Sequence, residues 1–87
     1  MKITVTQEHI NKGKRQSRCF CPIALAIKDV LGQNCDPRVG DMCIFIGKDP
    51  KQYYVTPWQA KAFISIFDSG GIPNPIEFEL EPFVRIA

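Results

Sequence analysis

Four cysteines, Cys19, Cys21, Cys35 and Cys43, and a single histidine, His9, are the side chains of this 87-residue chain with the chemistry to hold a soft metal or to attack a carbonyl. Four thiolates would suit tetrahedral zinc. Structural zinc sites favour two close cysteine pairs, however, and here Cys19-Phe20-Cys21 is followed by no second pair. Cys43 falls inside the apolar run Met42-Cys43-Ile44-Phe45-Ile46, where a cysteine acts as a small hydrophobe. A thiol nucleophile would need His9 as its base and a further group to orient that base. The sequence marks no such group and no nucleophile motif. We therefore expect packing roles for the thiols and the imidazole, with no metal site, no cofactor and no catalytic residues, and an enzyme is the least expected class.

Lys12, Lys14, Arg15 and Arg18 form the densest basic cluster, interleaved with Gly13, Gln16 and Ser17. Guanidinium, ammonium and hydroxyl donors at this spacing suit phosphate groups, and the free N–H groups at a following helix start favour anions too. The cluster is the leading candidate for ligand contact, and a solvated basic loop is the plain alternative. No helix-turn-helix, ribbon-helix-helix or stacking platform accompanies it, so sequence-specific DNA reading lacks support. Tyr53, Tyr54 and Trp58 surround Thr56-Pro57. Tyr54 and Trp58 are the candidates there to stack a base or line an interface, against a plain role in packing. Glu77, Glu79 and Glu81 read as the wet face of a strand, which deters unwanted pairing at a sheet edge or meets a basic partner surface.

The elements that must position these side chains follow from periodicity. Lys2–Thr6 alternates polar with β-branched apolar residues and reads as a strand. Thr6 caps a short helix over Gln7–Lys12, and Gly13 stops it by supplying a left-handed conformation. A second helix runs from Pro22 to Leu31 with Ile23, Ile27, Val30 and Leu31 on its apolar face, and Gly32 ends it. Gln33–Asp41 is turn-rich, with Val39 in a short strand. Met42–Ile46 reads as a central strand covered on at least one face, Gly47–Lys51 as a hairpin turn and Gln52–Val55 as its partner strand. Thr56-Pro57 is a cap-plus-proline start for a third helix over Trp58–Asp68, whose apolar face is Ala60, Phe63, Ile64 and Phe67. Ser69-Gly70-Gly71 ends that helix. Ile76–Glu81 alternates as a last strand, and Phe83 and Val84 extend it as an edge segment beyond Pro82.

The order β-α-α-β-β-β-α-β predicts one α+β domain over residues 1–87. Its architecture is a two-layer sandwich, with a mostly antiparallel sheet of four to five strands against two to three helices. Burying Phe63, Phe67, Ile27 and Ile44 contributes roughly 1.5–3 kcal/mol each. An apolar fraction of 45% with 23% charged residues excludes a disordered chain. The net charge of +2 is too small to select a partner, but its distribution is uneven. Residues 1–18 hold Lys2, Lys12, Lys14, Arg15 and Arg18 against Glu8, whereas residues 76–87 hold Glu77, Glu79 and Glu81 against Arg85. A chain this short buries a modest core, so self-association as a homodimer is a natural source of further stability. The first fifteen residues are polar, and no apolar stretch reaches the roughly 20 residues of a membrane span. The expectation is a cytoplasmic protein with reduced thiols and no membrane partner.

Ile3, Thr4, His9, Ile10 and Gly13, followed by Cys21, Pro22, Ala24, Leu25 and Ala26, make a pattern Ile-Thr … His-Ile-x-x-Gly … Cys-Pro-x-Ala-Leu-Ala. Phe67, Asp68 and Gly70, then Pro75, Phe78 and Leu80, make a Phe-Asp-x-Gly turn and a Pro-x-x-Phe-x-Leu strand. Together these resemble a class of small bacteriophage and mobile-element proteins. The likeness covers most of the chain, and Arg18-Cys19-Phe20 departs from it as an apolar insertion before the Cys-Pro step. The resemblance implies a phage-type origin and the cytoplasm of a bacterial host, and it implies no activity. By analogy with small proteins of that origin, the expected function is non-enzymatic binding that counters host defence. An anti-CRISPR-type inhibitor of a protein or ribonucleoprotein effector fits that description. The alternatives are an oligomeric sponge for a nucleotide second messenger, with Arg15, Arg18 and Tyr54 in pockets between subunits, and a nucleic-acid-binding accessory protein held at the basic loop.

Overall fold

Helix α2 (Pro22–Leu31) gathers the elements of the first half of the chain. In the computed structural model, which describes residues 1–47 and 52–81, it packs on β1 (Lys2–Val5), α1 (Gln7–Lys12) and β2 (Pro37–Val39). The chain continues through β3 (Cys43–Ile46), β4 (Gln52–Val55), α3 (Trp58–Asp68) and β5 (Ile76–Glu79). The α+β class and the element order are those expected from the sequence. The five strands divide into two antiparallel sheets, β1–β5 and β2–β3–β4, which meet through α2 and the core rather than through a shared ladder. The edge of β2 shows why the ladder stops there. Pro37 has no N–H to donate, and the Val39 N–H is taken by the Arg18 carbonyl at 2.9 Å.

Alternation sends Ile3 and Val5 of β1 and Phe78 of β5 inward, with Leu80 following. Val39, Ile44 and Ile46 enter the same core from the other sheet, and Phe63 and Phe67 enter from α3. On α2 the buried residues are Pro22, Ile23, Ala24, Ala26 and Ile27. The expected face included Val30 and Leu31, yet both remain nearly half exposed, at 49% and 44%. The helix is covered on two sides near its start, where small alanines permit close approach, and its last turn runs past that cover.

Two local expectations need correction. Gly13 is extended (φ −69°, ψ 152°), so its role is not a left-handed cap. A Cβ there would lie 2.5 Å from Pro22 Cδ and 2.6 Å from Pro22 N, so glycine is required by the close passage of two backbone segments. Thr56 does not cap α3, whose N-cap is Pro57 without a side-chain bond. Thr56 is 2% exposed, and its hydroxyl donates to the Gly40 carbonyl at 2.8 Å while its N–H donates to the Met42 carbonyl at 3.1 Å. It ties the start of α3 to the β2–β3 turn. Most of the hairpin turn Gly47–Lys51, together with Phe83 and Val84, lies outside the described residues.

Gly13→Ala should therefore cost about 1–3 kcal/mol, the range for forcing extra atoms into a packed site. A denaturant titration measures it, and an unchanged midpoint would show that the Gly13–Pro22 approach carries no constraint.

Candidate functional site

The basic loop is a structural clamp before it is a surface. Helix α3 has no basic residue in its last turn, so its carbonyl end lacks the cation that a helix dipole favours. Arg15 supplies that cation from outside the helix. Its guanidinium donates to the Phe67 carbonyl and, at 2.9 Å, to the Gly71 carbonyl, and it lies 4.5 Å from the centre of the Phe67 ring. The next residue, Gln16, adopts a left-handed backbone (φ 56°) that aims its N–H at Asp68 Oδ1, 2.9 Å away. The loop closes on itself where the Lys14 N–H donates to the Phe20 carbonyl and the Phe20 N–H donates to Ser17 Oγ.

These contacts sort the four basic candidates. Lys12 pairs with Glu8 one turn earlier at 2.6 Å, which lowers the Glu8 pKa and raises that of Lys12. Lys14 lies over the Phe20 ring, which Lys28 covers from closer range. Arg15 is committed to α3. Arg18 makes no ion pair, side-chain hydrogen bond or cation–π contact among the described residues, and it borders a cleft of about 490 Å³. Loop 16–18 forms one wall of that cleft, and α3 from Lys61 to Asp68 forms another. The start of α2 and residues 39–41 close it. Its floor is apolar, with Ile23, Val39, Phe63 and Phe67, and its rim carries Arg18 and Lys61 against Asp41 and Asp68. Asp68 is partly satisfied by the Gln16 N–H, so the two cations and Asp41 are the unpaired charges of the rim among the described residues.

Sequence reasoning missed Lys61 and Asp68. They stand with Ile64 and Ser65 at three- and four-residue spacings on the flank of α3. That stripe is legible as helical, but nothing in it shows that a distant loop folds against it.

Cys21 opens into the same cleft and serves as the N-cap of α2, its Sγ accepting from the Ala24 N–H at 3.4 Å. Burial pushes its thiol up from the ordinary value, so it stays protonated and is a poor nucleophile. Cys35 is shifted the same way, again by burial. His9 does have an orienting partner, contrary to expectation. Nε2 lies 2.5 Å from Asp29 Oδ2, and Nδ1 accepts from the Thr6 N–H at 2.9 Å. These bonds assign the proton to Nε2. The lone pair on Nδ1 is taken by that backbone N–H, which leaves none to receive a nucleophile's proton. The imidazole completes a capping box with Thr6 and ties α1 to α2. No three His, Cys, Asp or Glu side chains come together as a metal site among the described residues.

The remaining candidates lie elsewhere. Tyr54 is half buried against the core. Trp58 is 74% exposed beside a shallow groove of about 480 Å³ that also includes Lys2, Glu77 and Glu79. Glu77 pairs with Lys2 at 3.2 Å and Glu79 with the N-terminal ammonium at 3.1 Å, so much of the acidic face is neutralised within its own sheet. Glu81 is exposed beyond β5. Among the described residues no helix is long and apolar enough to cross a membrane. No family model, curated protein or solved structure matches the chain.

Replacing Arg15 with alanine should destabilise the fold by about 1.5–3 kcal/mol, the range for hydrogen bonds to a charged group. Lysine should restore only part of that, since a point charge cannot bridge two carbonyls. Lys14→Ala should stay within about 0.5 kcal/mol. Thermal unfolding of the three variants tests this, and equal loss at positions 14 and 15 would remove the clamp.

Burial of Cys21 also fixes a sign with pH. Below about pH 8.5, the ordinary thiol value, the native and unfolded states both keep the proton and the stabilisation is complete. As the pH rises towards the native value, the unfolded chain ionises first and stability falls. Cys21→Ala should flatten that alkaline decline in urea titrations across about pH 7.5–10. Equal slopes in both proteins would contradict it.

Proposed function

We propose that this chain acts by binding, without catalysis, and that its contact site is the cleft between the basic loop and α3. In the setting that the phage-type motifs suggest, the partner is a protein or ribonucleoprotein effector of host defence, of the kind an anti-CRISPR inhibitor occupies. The single observation that carries this reading is how the charged and reactive groups are used. His9, Cys21 and Arg15 are committed within the fold, whereas Arg18 and Lys61, with Asp41 beside them, stand unpaired among the described residues above an apolar floor. That combination takes an anionic group with apolar surface beneath it, such as an acidic side chain or a phosphate on a folded partner.

A second reading has its own support. At about 490 Å³ the cleft is within the size range of small-ligand sites, which favours a nucleotide messenger held by Arg18 and Lys61. Arg15 and Tyr54, which a sponge would recruit, are occupied by the α3 carbonyls and by the core. A nucleic-acid accessory role would rest on the same cations, and steep salt dependence would mark it.

Phage plating on a strain with an active CRISPR system is the direct test of the leading reading. Expression of the chain should raise plating efficiency. The pair Arg18→Glu and Lys61→Glu should abolish that gain while the melting temperature stays within about 2 °C, since both changes are at surface positions. Unchanged interference across several CRISPR types would overturn the anti-CRISPR reading. A nucleotide-dependent rise in melting temperature, lost in the same variants, would move the assignment to the sponge.

A further inference from the structure

The edges of the two sheets are treated unequally. In β2–β3–β4 the hydrogen bond from the Thr56 N–H to the Met42 carbonyl makes positions 42 and 56 a hydrogen-bonded pair. Antiparallel pairs alternate, so Tyr54 and Gln52 also turn their backbone groups towards β3. Tyr53 and Val55 therefore aim N–H and C=O outward, along the free edge of β4. The opposite edge is closed by Pro37 and by the Arg18 carbonyl on Val39. The β1–β5 sheet has charged residues along its edges, Lys2 on one and Glu77 and Glu79 on the other. Strand β4, Gln52-Tyr53-Tyr54-Val55, has no charge, no proline and no cover among the described residues. Charge, proline and cover are the devices by which strand edges avoid pairing.

We infer that β4 pairs antiparallel with β4 of a second copy about a two-fold axis through Tyr54, with Tyr53 of each copy opposite Val55 of the other. The register follows from the ladder. Directly opposed residues must share a face, and those that exchange bonds must be the ones with outward backbone groups. Tyr53 opposite Val55 satisfies both conditions, and it places aromatic against β-branched side chains, a favourable cross-strand pair. A two-fold axis brings every charge in a strand close to its own copy, and β4 holds none to repel. The outer face, where Phe45 packs edge-on against Tyr53 at 5.0 Å, then continues across both copies in one six-stranded sheet.

The area sets the strength. Tyr53 and Val55 are 49% and 50% exposed, and a buried aromatic removes about 150–250 Å² from water. Their side chains supply roughly a few hundred Å² across two copies, well short of the roughly 1,200 Å² at the lower bound of standard interfaces. The contact is a weak dimer that depends on concentration.

Sedimentation equilibrium over about 1 µM to 1 mM, a span chosen to bracket a weak interface, tests the assignment on the full chain. Mass should rise from the monomer's 9.8 kDa towards twice that value. Tyr53→Lys places like charges across the axis, and Val55→Pro removes one outward donor while leaving the ladder with β3 intact. Each should weaken dimerisation roughly tenfold or more; at low concentration both variants should still unfold cooperatively, Tyr53→Lys with the modest loss of stability that its edge contact with Phe45 carries. Amide exchange gives the register: Tyr53 and Val55 should gain protection as concentration rises, and Tyr54 should not change. A monomer at every concentration overturns the inference, and so does a dimer that both variants leave untouched.

Discussion

Helix α3 ends without a cation of its own, and the chain brings one from a loop 52 residues earlier in sequence. The Arg15 guanidinium is the point at which the first third of the molecule is fastened to the last. Because it bridges the carbonyls of Phe67 and Gly71 and lies on the Phe67 ring, it fixes both the end of α3 and the path of residues 16–18. The left-handed turn at Gln16, an uncommon conformation for that residue, is held by the Asp68 carboxylate on the same helix end. The wall of the cleft is thus a consequence of a helix-capping problem solved at long range.

The same economy governs the reactive side chains. A cysteine at the N-cap satisfies an N–H that serine or aspartate would ordinarily take, and its burial keeps it neutral. A histidine at the third position of α1 plays the part usually given to Glu or Gln in a capping box, and its other nitrogen reaches Asp29 on α2. Hydroxyl, imidazole and carboxylate lie in sequence along this chain of bonds, which superficially suggests a catalytic relay. The bond to Asp29 runs as it would in a relay, but the Nδ1 lone pair that would take the hydroxyl proton already accepts from the Thr6 backbone N–H. The work of the imidazole is to join two helices.

Much of the fold was legible because it is local. Strand alternation in Ile76–Glu79, the Thr6 cap, Pro22 at a helix start and Gly32 at its end are decided within a few residues, and each stands where the pattern puts it. What failed was everything settled by a distant neighbour. Gly13 looked like a left-handed stop because that is glycine's commonest reason at a helix end; its actual reason is the Pro22 ring, nine residues away. Thr56 looked like a cap because threonine before proline often is one, but a carbonyl at Gly40 claims its hydroxyl. The basic cluster was seen as a cluster, yet only the docking of the loop on α3 separates Arg15, which holds the fold, from Arg18, which borders open space. Lys61 carries no local mark because the loop opposite it is more than forty residues away in sequence.

Loop 13–18 settles a further matter through its backbone. The Arg18 carbonyl closes the β2 edge by accepting from Val39, so the residue that sets its side chain at the cleft also blocks strand addition on that side. Among the described residues the three-stranded sheet is left with one closed edge, against which the cleft is built, and one open edge at β4 on the far side. Two copies joined through β4 would keep their clefts at opposite ends of the shared sheet, unobstructed by the contact. Binding at the cleft and pairing at β4 thus make no competing demand on the surface. A partner with two equivalent anionic sites would be held by both copies at an effective concentration set by a rigid sheet rather than a flexible linker. On the proposed binding and pairing, weak self-association would suit the chain, because engagement of such a partner would itself supply the second copy.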